Sequence, residues 1–292
     1  MLTRARRAVA WRLVSARTRV RHERELAGWR RGQRIPVPGG VDSDRLAVVF
    51  CTWRRLERLE HTLGLLAAQD VPVQALIWNN SPHRETVDST VAASPIPVRV
   101  HHNPRNIGGF GRFYLAREIA EAGHDRVVFI DDDHDFGPST IRDLLARHKP
   151  RTLSGWWAFT FLSADYGDRV RALPGEPAKY VGTCGMIVDT AVFRDHRLFR
   201  CPRRYWFVED LWLCYFSERI AGYKLFACQV DFQRADDQQD MYPMLGRRKW
   251  RFLHYLVRQG WDLRAANYLA APARLPLSRA TRRSFFVGRG HL

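Results

Sequence analysis

The sequence predicts an α/β fold in which a mostly parallel, open sheet lies between layers of helices. Three observations support this prediction. Strand, turn and helix patterns alternate from residue 46 to residue 130. The strands are continuous apolar runs, as expected when both faces of a sheet are covered. Polar residues follow directly after several of these runs, at the strand ends where open α/β sheets bind ligands.

The first strand is predicted at LAVVFC (46–51), because its six residues form one apolar run. The segment TWRRLERLEHTLGLLAAQ follows it. Leucines recur there at helical spacing, which predicts an amphipathic helix. These residues are Leu56, Leu59, Leu63 and Leu66.

Three more strands are predicted before residue 131, and a glycine-rich turn that leads into a helix precedes the last of them. The second strand of the chain ends in Asn79 and Asn80, so polar side chains follow it at once. In order, the segments are QALIWNNS (74–81), PVRVHH (97–102), NPRNIGGFGRFYLAREIAEAG (103–123) and RVVFI (126–130).

The second half is less regular. One strand is predicted at TLSGWWAFTFL (152–162), and KYVGTCGMIVDTAVF (179–193) predicts a strand, a turn of small residues, a second strand and a helix start. YWFVEDLWLCYFSERIAGYKLF (205–226) predicts a helix that begins at an acidic pair and ends at Gly222. A last strand is predicted at YKLFACQVDF. An amphipathic helix near the C-terminus is predicted on Trp250, Leu253, Leu256 and Val257.

The composition favours a globular and strongly basic protein. A chain of 292 residues suits one large α/β domain with appendages, and 46% hydrophobic with 12% aromatic residues argues against wholesale disorder. The formal net charge of +17 comes almost entirely from arginine. Such a charge favours a polyanionic partner: nucleic acid, anionic lipid headgroups or phosphorylated substrates.

The cysteines and the lengths of the apolar runs indicate the cellular compartment of the protein. Five cysteines without CxxC spacing favour a reducing environment over a zinc site or a disulfide framework. No apolar run approaches the roughly 18 residues that a membrane span needs. The N-terminus lacks the apolar centre of a secretory signal. We therefore predict a cytoplasmic protein with at most peripheral contact with the inner face of the membrane.

Both ends of the chain are basic. Residues 1–40 carry eleven arginines against Glu23 and Glu25, and Pro36 to Gly40 indicate a linker. A basic amphipathic helix in a lipid headgroup layer is one interpretation. A solvated arm, a helix packed on the main domain and a transit peptide are the alternatives. The interleaved apolar and basic residues are Val9, Trp11, Leu13, Val14, Arg7, Arg12 and Arg17.

Three consecutive aspartates follow the strand at 126–130, within VVFIDDDHDFGP. Adjacent carboxylates repel one another, so a cation is expected among them. Asp131 and Asp133 are two residues apart and would share a face of an extended strand. Two carboxylates and the phosphates of a substrate form a typical Mg²⁺ environment. The alternative is an acidic turn before a helix, with Asp135 or Ser139 as the N-cap.

Other motifs are less specific. NIGGFG (106–111) allows close backbone approach to a ligand at a helix N-terminus, although a tight turn explains it as well. The acidic pair of FVED (207–210) could supply a general base or only stabilise a helix start. His134 could be a ligand beside the aspartates, although a histidine that faces solvent is the expectation. Cys51 and Cys184 are expected to be small buried residues.

Taken in order, these segments resemble glycosyltransferase family 2, the inverting sugar-nucleotide enzymes with a GT-A fold. The resemblance runs over about residues 46–235 and is nearest to the galactofuranosyl- and rhamnosyl-transferase branch. It implies a Rossmann-like GT-A catalytic domain at 41–240, between a basic arm at 1–40 and a basic helical extension at 241–292. The segments that carry it are VVFCTWRRLERLEHTLGLLAAQ, ALIWNNS, NPRNIGGFGRFYLA, FIDDDHDF, VGTCGMIV and FVEDLWL.

The resemblance also implies roles for individual residues. Asp133, with Asp131, would bind Mg²⁺ or Mn²⁺, and Arg105 or Arg112 would offset charge on the phosphates. The donor would be a UDP- or dTDP-sugar, and the acceptor a glycan or a lipid-linked glycan. Residues implied at the nucleotide sugar are Thr52, Arg54, Asn80, Asn106, Gly108, Gly109, Arg112, Asp131 and Asp132.

On the acceptor side, the resemblance makes Asp210 the general base and Glu209 its support. The bound metal ion would stabilise the diphosphate leaving group, while Asp210 activates the acceptor hydroxyl, so that the sugar is transferred in a single displacement. An anionic membrane surface would suit the basic ends. Residues implied at the acceptor pocket are Gly182, Thr183, Cys184, Gly185 and Trp206.

Four features depart from the family pattern. Asn80 stands in place of the family's frequent aspartate. Arg112 replaces the last glycine of NxGGxGG, and Trp212 stands where many members place another acid. The histidine that often completes the metal site near the last strand is missing, so Asp231 or Gln233 would substitute. A nucleotidyltransferase is an alternative, but CTWRRLERL lacks the glycine-rich loop expected there. A nucleic-acid-binding protein is another alternative, although acidic strand ends argue against a specific nucleic-acid partner.

Overall fold

The computed structural model describes residues 18–35, 37, 39–235 and 242–264. Its strands are β1 (Leu46–Thr52), β2 (Val73–Asn79), β3 (Val98–His102), β4 (Arg126–Phe129), β5 (His134–Phe136), β6 (Thr152–Gly155), β7 (Ala158–Phe161), β8 (Arg169–Arg171), β9 (Tyr180–Val181), β10 (Met186–Asp189), β11 (Lys224–Ala227) and β12 (Phe232–Arg234).

The helices in the same part of the chain are α1 (residues 18–30), α2 (Leu59–Ala67), α3 (Arg84–Ala92), α4 (Gly111–Glu121), α5 (Thr140–Arg147), α6 (Ala191–Arg194), α7 (Glu209–Tyr215) and α8 (Tyr242–Arg258). Tighter 3₁₀ turns lie at Leu56–Arg58, Gly108–Phe110, His196–Arg200 and Arg203–Tyr205, and a π turn at Phe216–Ile220 extends α7.

The central sheet has the strand order β11-β6-β10-β4-β1-β2-β3. Neighbouring strands are parallel except for β10, which runs antiparallel to β4 and β6. Smaller sheets pair β12 with β5 and place β7 between β8 and β9. The predicted α/β class, with a mainly parallel sheet flanked by helices, is therefore confirmed.

Alternate residues of the central strands pack on opposite faces of the sheet. Val48 and Ile77 share an apolar cluster with Leu63 of α2. Val49 and Trp78 belong instead to the cluster that contains Phe113 and its neighbours on α4. Because both faces are covered, the strands need apolar residues at every position, which is why they lack polar alternation in the sequence.

Two predicted strands are each divided between different sheets. The segment at 152–162 turns at Trp156, whose amide donates to Gly185 O at 2.9 Å, so β6 and β7 separate there. The last predicted strand likewise divides into β11 and β12. Phe232 leaves the central sheet to stack on Phe136 of β5, with ring centroids 5.3 Å apart. Continuous apolar sequence did not reveal either change of sheet.

The amphipathic helix predicted near the C-terminus is present as α8, and one residue of its predicted apolar stripe, Trp250, is misplaced. Trp250 is 43% exposed and packs against His254 at the helix surface. Leu253 and Leu256 are buried as predicted, and Val257 is partly buried against the core. Lys249 and Phe252 are also buried, which was not predicted. A lysine was not expected in an apolar stripe, but its ammonium finds polar partners inside the protein, as described below.

The N-terminal helix α1 packs on the sheet domain. The Trp29 side chain is 4% exposed and makes edge contacts with Trp78, His101 and Tyr114, with centroids 5.4–5.9 Å apart. Nη1 of Arg117 donates to the Trp29 carbonyl at 2.7 Å. Of the interpretations of the basic arm, a packed helix therefore describes residues 18–30.

Residues 1–17 lie outside the described residues, so the predicted membrane helix on Val9, Trp11, Leu13 and Val14 stays a prediction, as do the boundaries at residues 40 and 240. Among the described helices, none combines the length and the apolar character required to cross a bilayer.

We expect Trp29→Ala to lower the free energy of unfolding by about 3–5 kcal/mol, because it leaves a cavity against three aromatic rings. The matched change Trp250→Ala removes an exposed ring and should cost about 0.5 kcal/mol or less. Urea titrations followed by circular dichroism measure both. Equal losses in the two variants would show that α1 packing does not stabilise the domain.

Candidate active site

A cluster of potential metal ligands lies just beyond the carboxyl end of β4. Asp131, Asp133 and His134 each offer one ligand atom, and these atoms all lie within 4.8 Å of one another. The carboxylates converge in a turn after the strand and not on the strand itself. Asp132 is separate from this group and 8% exposed. The structure therefore brings together the two aspartates that the sequence assigned to metal.

The expectation that His134 faces solvent is wrong. His134 begins β5, which pairs with β12, and the residue is 9% exposed. Its ring lies 5.5 Å from the Phe232 ring, and its Nδ1 donates to Asp133 Oδ1 at 2.7 Å. Burial disfavours the charged imidazole, but hydrogen bonds to Asp133 and Cys184 outweigh it and raise the pKa of His134 to about 10.

His134 also changes the expected completion of the metal site. Sequence reasoning looked for a substitute ligand at Asp231 or Gln233, near the last strand. Both of these residues are exposed, and neither belongs to the group of converging ligand atoms found among the described residues. The short β5–β12 ladder turns the imidazole inward beside Asp133 instead. That ladder joins segments about 100 residues apart, which sequence patterns did not indicate.

Arginines from other elements balance the aspartates. Arg55 Nη1 lies 2.8 Å from Asp133 Oδ2, and Arg55 Nη2 lies 3.6 Å from Asp132 Oδ1. Burial raises the pKa of Asp132 to about 7 despite this contact. Burial also opposes ionisation of Asp133, but hydrogen bonds from His134 and Arg55 lower its pKa below the usual range.

The glycine-rich turn allows α7 to approach the cluster. A Cβ on Gly109 would lie 1.7 Å from the Glu209 carboxylate, and Gly108 has φ +73°, which favours glycine. The Asn80 side chain holds the turn: its Oδ1 accepts from the Ile107 amide, and its Nδ2 donates to Gly108 O, both at 3.1 Å. The structure therefore gives the glycines and Asn80 a structural function, and their contact with nucleotide stays a prediction.

The Arg112 guanidinium bridges the aspartate cluster (Asp131 to Asp133) and the acidic pair (Glu209 and Asp210). Arg112 Nη1 lies 2.8 Å from Asp131 Oδ1, and its Nε lies 3.5 Å from Glu209 Oε1. Arg112 is 5% exposed. Its charge is thus used between two carboxylates of the protein, whereas the sequence had assigned it to donor phosphate. Arg105, the other phosphate candidate, lies 3.7 Å from Glu23 of α1.

The acidic pair begins α7, and its two carboxylates have different partners. Burial raises the pKa of Glu209 to about 7, with Arg112 opposing the shift and Asp210 adding to it. Asp210 accepts a hydrogen bond from the Tyr180 hydroxyl and lies 3.7 Å from Lys249 Nζ. Sequence reasoning missed both partners. The one available signal was that Lys249 is the single lysine among the arginines of residues 241–292.

The remaining residues predicted at the nucleotide lie near the ends of β1 and β3. Thr52 is 1% exposed, and its Oγ1 has no hydrogen-bond partner among the described residues. Arg54 is exposed and stacks on Trp53, with 4.1 Å from its guanidinium carbon to the ring centroid. Asn106 Oδ1 accepts from the Gly108 amide at 2.7 Å.

The segment predicted to line the acceptor pocket, Gly182 to Gly185, connects β9 to β10 and is buried. Its Cys184 thiol is hydrogen-bonded to His134, so the segment adjoins the aspartate cluster. Trp206 is packed into the core, stacked on Phe110 with centroids 4.9 Å apart. Trp212 is also buried, and its Nε1 donates to Leu198 O at 2.6 Å.

Comparison with protein-family models gives no match, and comparison with curated proteins gives none either. Among solved structures, the mannosyltransferase PcManGT from Pyrobaculum calidifontis, in complex with GDP-Man and Mn²⁺, superposes with a TM-score of 0.53 at 13% identity. That match covers 96% of this chain and 88% of the mannosyltransferase chain.

S. aureus TarS 1-349, in complex with UDP-GlcNAc, matches with a TM-score of 0.47 at 15% identity, over 73% of this chain and 66% of that chain. This chain therefore spans slightly under two thirds of the TarS chain. At such low identity the likeness to the mannosyltransferase shows the fold, which is of the GT-A type.

We expect the free energy of unfolding of the wild-type protein to decrease, relative to a Glu209→Gln variant, as the pH rises from about 4.5 to about 7. The pKa of Glu209 is raised from 4.5 to about 7, so in this window the folded protein holds a proton that the unfolded chain has lost. Raising the pH therefore favours unfolding, by roughly 2–3 kcal/mol across the window.

Chemical denaturation in a series of buffers measures this difference. The control is Glu57→Gln, which alters an exposed glutamate and should give a curve parallel to the wild type. A Glu209→Gln curve that also runs parallel to the wild type would contradict the raised pKa.

Proposed function

We propose that this chain is a metal-dependent inverting glycosyltransferase of the family 2 type, which moves a sugar from a nucleotide-diphosphate sugar to a hydroxyl of a glycan or lipid-linked acceptor. One observation carries the proposal. The converging Asp131, Asp133 and His134 are joined through Arg112 to the acidic pair at the start of α7, on a GT-A sheet. This arrangement supports a leaving-group site and a base at the same end of the sheet.

The donor set fits a divalent cation. Two carboxylates and an imidazole within 4.8 Å of one another supply oxygen and nitrogen ligands. Mg²⁺ prefers oxygen ligands alone, whereas Mn²⁺ also accepts imidazole, so His134 favours Mn²⁺. When bound, the ion would offset the negative charge that develops on the departing diphosphate. Thr52, Arg54 and Asp132 would contact the nucleotide of a UDP- or dTDP-sugar.

The fold neighbour supports this class of ligand. The mannosyltransferase with the TM-score of 0.53 was solved with GDP-Man and Mn²⁺, so a sheet of this kind accommodates a nucleotide sugar together with a metal ion. The likeness does not specify the nucleotide for this chain. In this chain, the converging ligand atoms of Asp131, Asp133 and His134 support an anionic ligand bound through a cation.

The protein side chains suit a single displacement. Asp210 would accept the proton of the acceptor hydroxyl as that oxygen attacks the sugar, which requires no covalent enzyme intermediate. The Tyr180 hydroxyl donates to the Asp210 carboxylate and fixes its orientation. Glu209, tied to Arg112, would support the base by holding the start of α7 against the glycine-rich turn. The segment from Gly182 to Gly185 would line the acceptor pocket.

The outer face of α8 suits a peripheral contact with an anionic membrane on the cytoplasmic side. Arg247, Arg251 and Arg258 are exposed there, and Trp250 is 43% exposed between them. Residues 242–258 contain no aspartate or glutamate. Arginine and tryptophan together favour the headgroup region of anionic bilayers, where lipid-linked acceptors would be found.

A thermal-shift panel of UDP-, dTDP- and GDP-sugars, with and without Mn²⁺, tests the donor proposal. We expect one nucleotide class to raise the melting temperature by about 5 °C at roughly hundredfold excess over Kd, only when the metal is present. Asp133→Asn should abolish this shift. Asp135→Asn, an acid outside the cluster, should retain it. The proposal fails if no nucleotide sugar stabilises the protein at saturating concentration.

Asp210→Asn should lower turnover by about 10²–10⁴-fold and leave the donor-dependent thermal shift unchanged, because it removes the base and not the donor site. Release of nucleoside diphosphate, with simple glycosides as acceptors, measures turnover. The control is Asp44→Asn, which changes an exposed aspartate and should keep wild-type turnover. If Asp210→Asn also abolishes the donor shift, Asp210 belongs to the donor site and is not the base.

A further inference from the structure

The C-terminal helix α8 brings one cation to the carboxylate proposed as the base. Lys249 Nζ lies 3.7 Å from Asp210 Oδ2. It also donates to the Tyr166 hydroxyl at 3.2 Å. The same ammonium lies 5.2 Å and 6.0 Å from the ring centroids of Tyr166 and Tyr180. Lys249 therefore contacts a carboxylate, a hydroxyl and the faces of two aromatic rings.

Burial distinguishes this lysine from the other cations of α8. Lys249 is 9% exposed, whereas Arg247 and Arg251 on the same helix are exposed. An ammonium removed from water is costly unless it is paired, so its position is stabilised by the groups it meets. Asp210 is equally buried, at 9% exposure. Two opposite charges thus share one enclosed site, where their attraction is stronger than in water.

The titratable groups around Asp210 come from three directions. Glu209 and Cys214 lie on its own helix, Tyr180 faces it from β9, and Lys249 faces it from α8. A further hydrogen bond joins Tyr166 to Tyr180. Burial and the neighbouring Asp210 carboxylate raise the pKa of Tyr180 well above its ordinary value, so this hydroxyl keeps its proton and donates it. Lys249 is the lone positive group in this described set.

We propose that Lys249 is a positioning residue for the transferase, which keeps the Asp210 carboxylate ionised and oriented before the acceptor binds. The inference rests on the proposed function. A base must be ionised to take a proton, and an ammonium at 3.7 Å favours the ionised form. After Asp210 has taken the proton from the acceptor hydroxyl, the Lys249 ammonium favours release of that proton from the carboxyl group to solvent.

This placement gives α8 a part in the proposed reaction. The aspartate cluster directly follows the strand–helix repeat of residues 46–130, and α7 carries the proposed base. The cation beside Asp210 Oδ2 is Lys249, which lies on α8 and in neither of these segments. The site of the described chain is therefore completed by a helix that follows the last strand, and a chain without α8 would lack the counter-charge of its base.

The test uses full-length protein labelled with ¹³C at aspartate carboxyl groups, and the Asp210 resonance is assigned by its loss in Asp210→Asn. We expect Lys249→Met to move the titration midpoint of this resonance to higher pH by about 1 unit or more, since an opposite charge within about 4–6 Å shifts a carboxyl by about 1–3 units. Lys249→Arg should recover at least half of the change. Lys224→Met, which alters an exposed lysine, should leave the midpoint in place.

A second readout is the pH dependence of nucleoside diphosphate release from the nucleotide sugar that gives the thermal shift. The acid limb of this profile should move to higher pH in Lys249→Met by the same amount, with the donor-dependent thermal shift intact. If Lys249→Met does not fold, Tyr166→Phe replaces it. That variant removes the hydroxyl that holds the ammonium and should give a smaller shift in the same direction.

An unchanged Asp210 midpoint in Lys249→Met, or in Tyr166→Phe where the first variant does not fold, overturns the inference. This outcome is distinct from failure of the proposed function. If no nucleotide sugar binds, the transferase proposal fails, while the resonance titration still reports whether Lys249 controls the charge of Asp210. If nucleotide sugars bind and the midpoint does not move, the transferase proposal stands and Lys249 only packs.

Discussion

The buried guanidinium of Arg112 is the interaction on which the site depends. It joins Asp131, which follows β4, to Glu209, which begins α7, although the two acids are far apart in the sequence. An unpaired charge of this kind inside a protein would cost several kcal/mol. The need to pair the Arg112 charge therefore holds both carboxylates beside it. The approach of α7 is close enough only because Gly109 has no side chain. The metal-ligand cluster and the proposed base are consequently parts of one packed unit.

Segments outside the strand–helix repeat support this unit from two sides. A Cβ on Gly111 would lie 2.4 Å or less from atoms of the Trp78 indole, so the start of α4 rests directly on that ring. Trp29 of α1 packs against the same indole. On the other side, α8 contacts α7 and brings Lys249 to Asp210. The described helices of the two basic ends, α1 and α8, are thus structural parts of the domain.

Much of the fold follows from local patterns, and much of the site does not. β1 and β2 were predicted because strands covered on both faces must be apolar throughout, and Asp131 with Asp133 stood out because carboxylates rarely follow such a strand in a row. His134 was misjudged because its burial depends on the β5–β12 ladder, whose partners are about 100 residues apart. Lys249 was missed because a lysine in an apolar stripe is stable only when its partners, here Asp210 and Tyr166, are already in place.

The central claim is that His134 and the aspartates beside it bind a divalent cation. Electron–nuclear double resonance of Mn²⁺ bound to protein with ¹⁵N-labelled histidine tests this claim most directly. The account predicts a ¹⁵N coupling typical of a coordinated imidazole, which disappears in His134→Gln while Mn²⁺ still binds through Asp131 and Asp133. Bound Mn²⁺ without any ¹⁵N coupling in the wild type, or with the same coupling in His134→Gln, would contradict it.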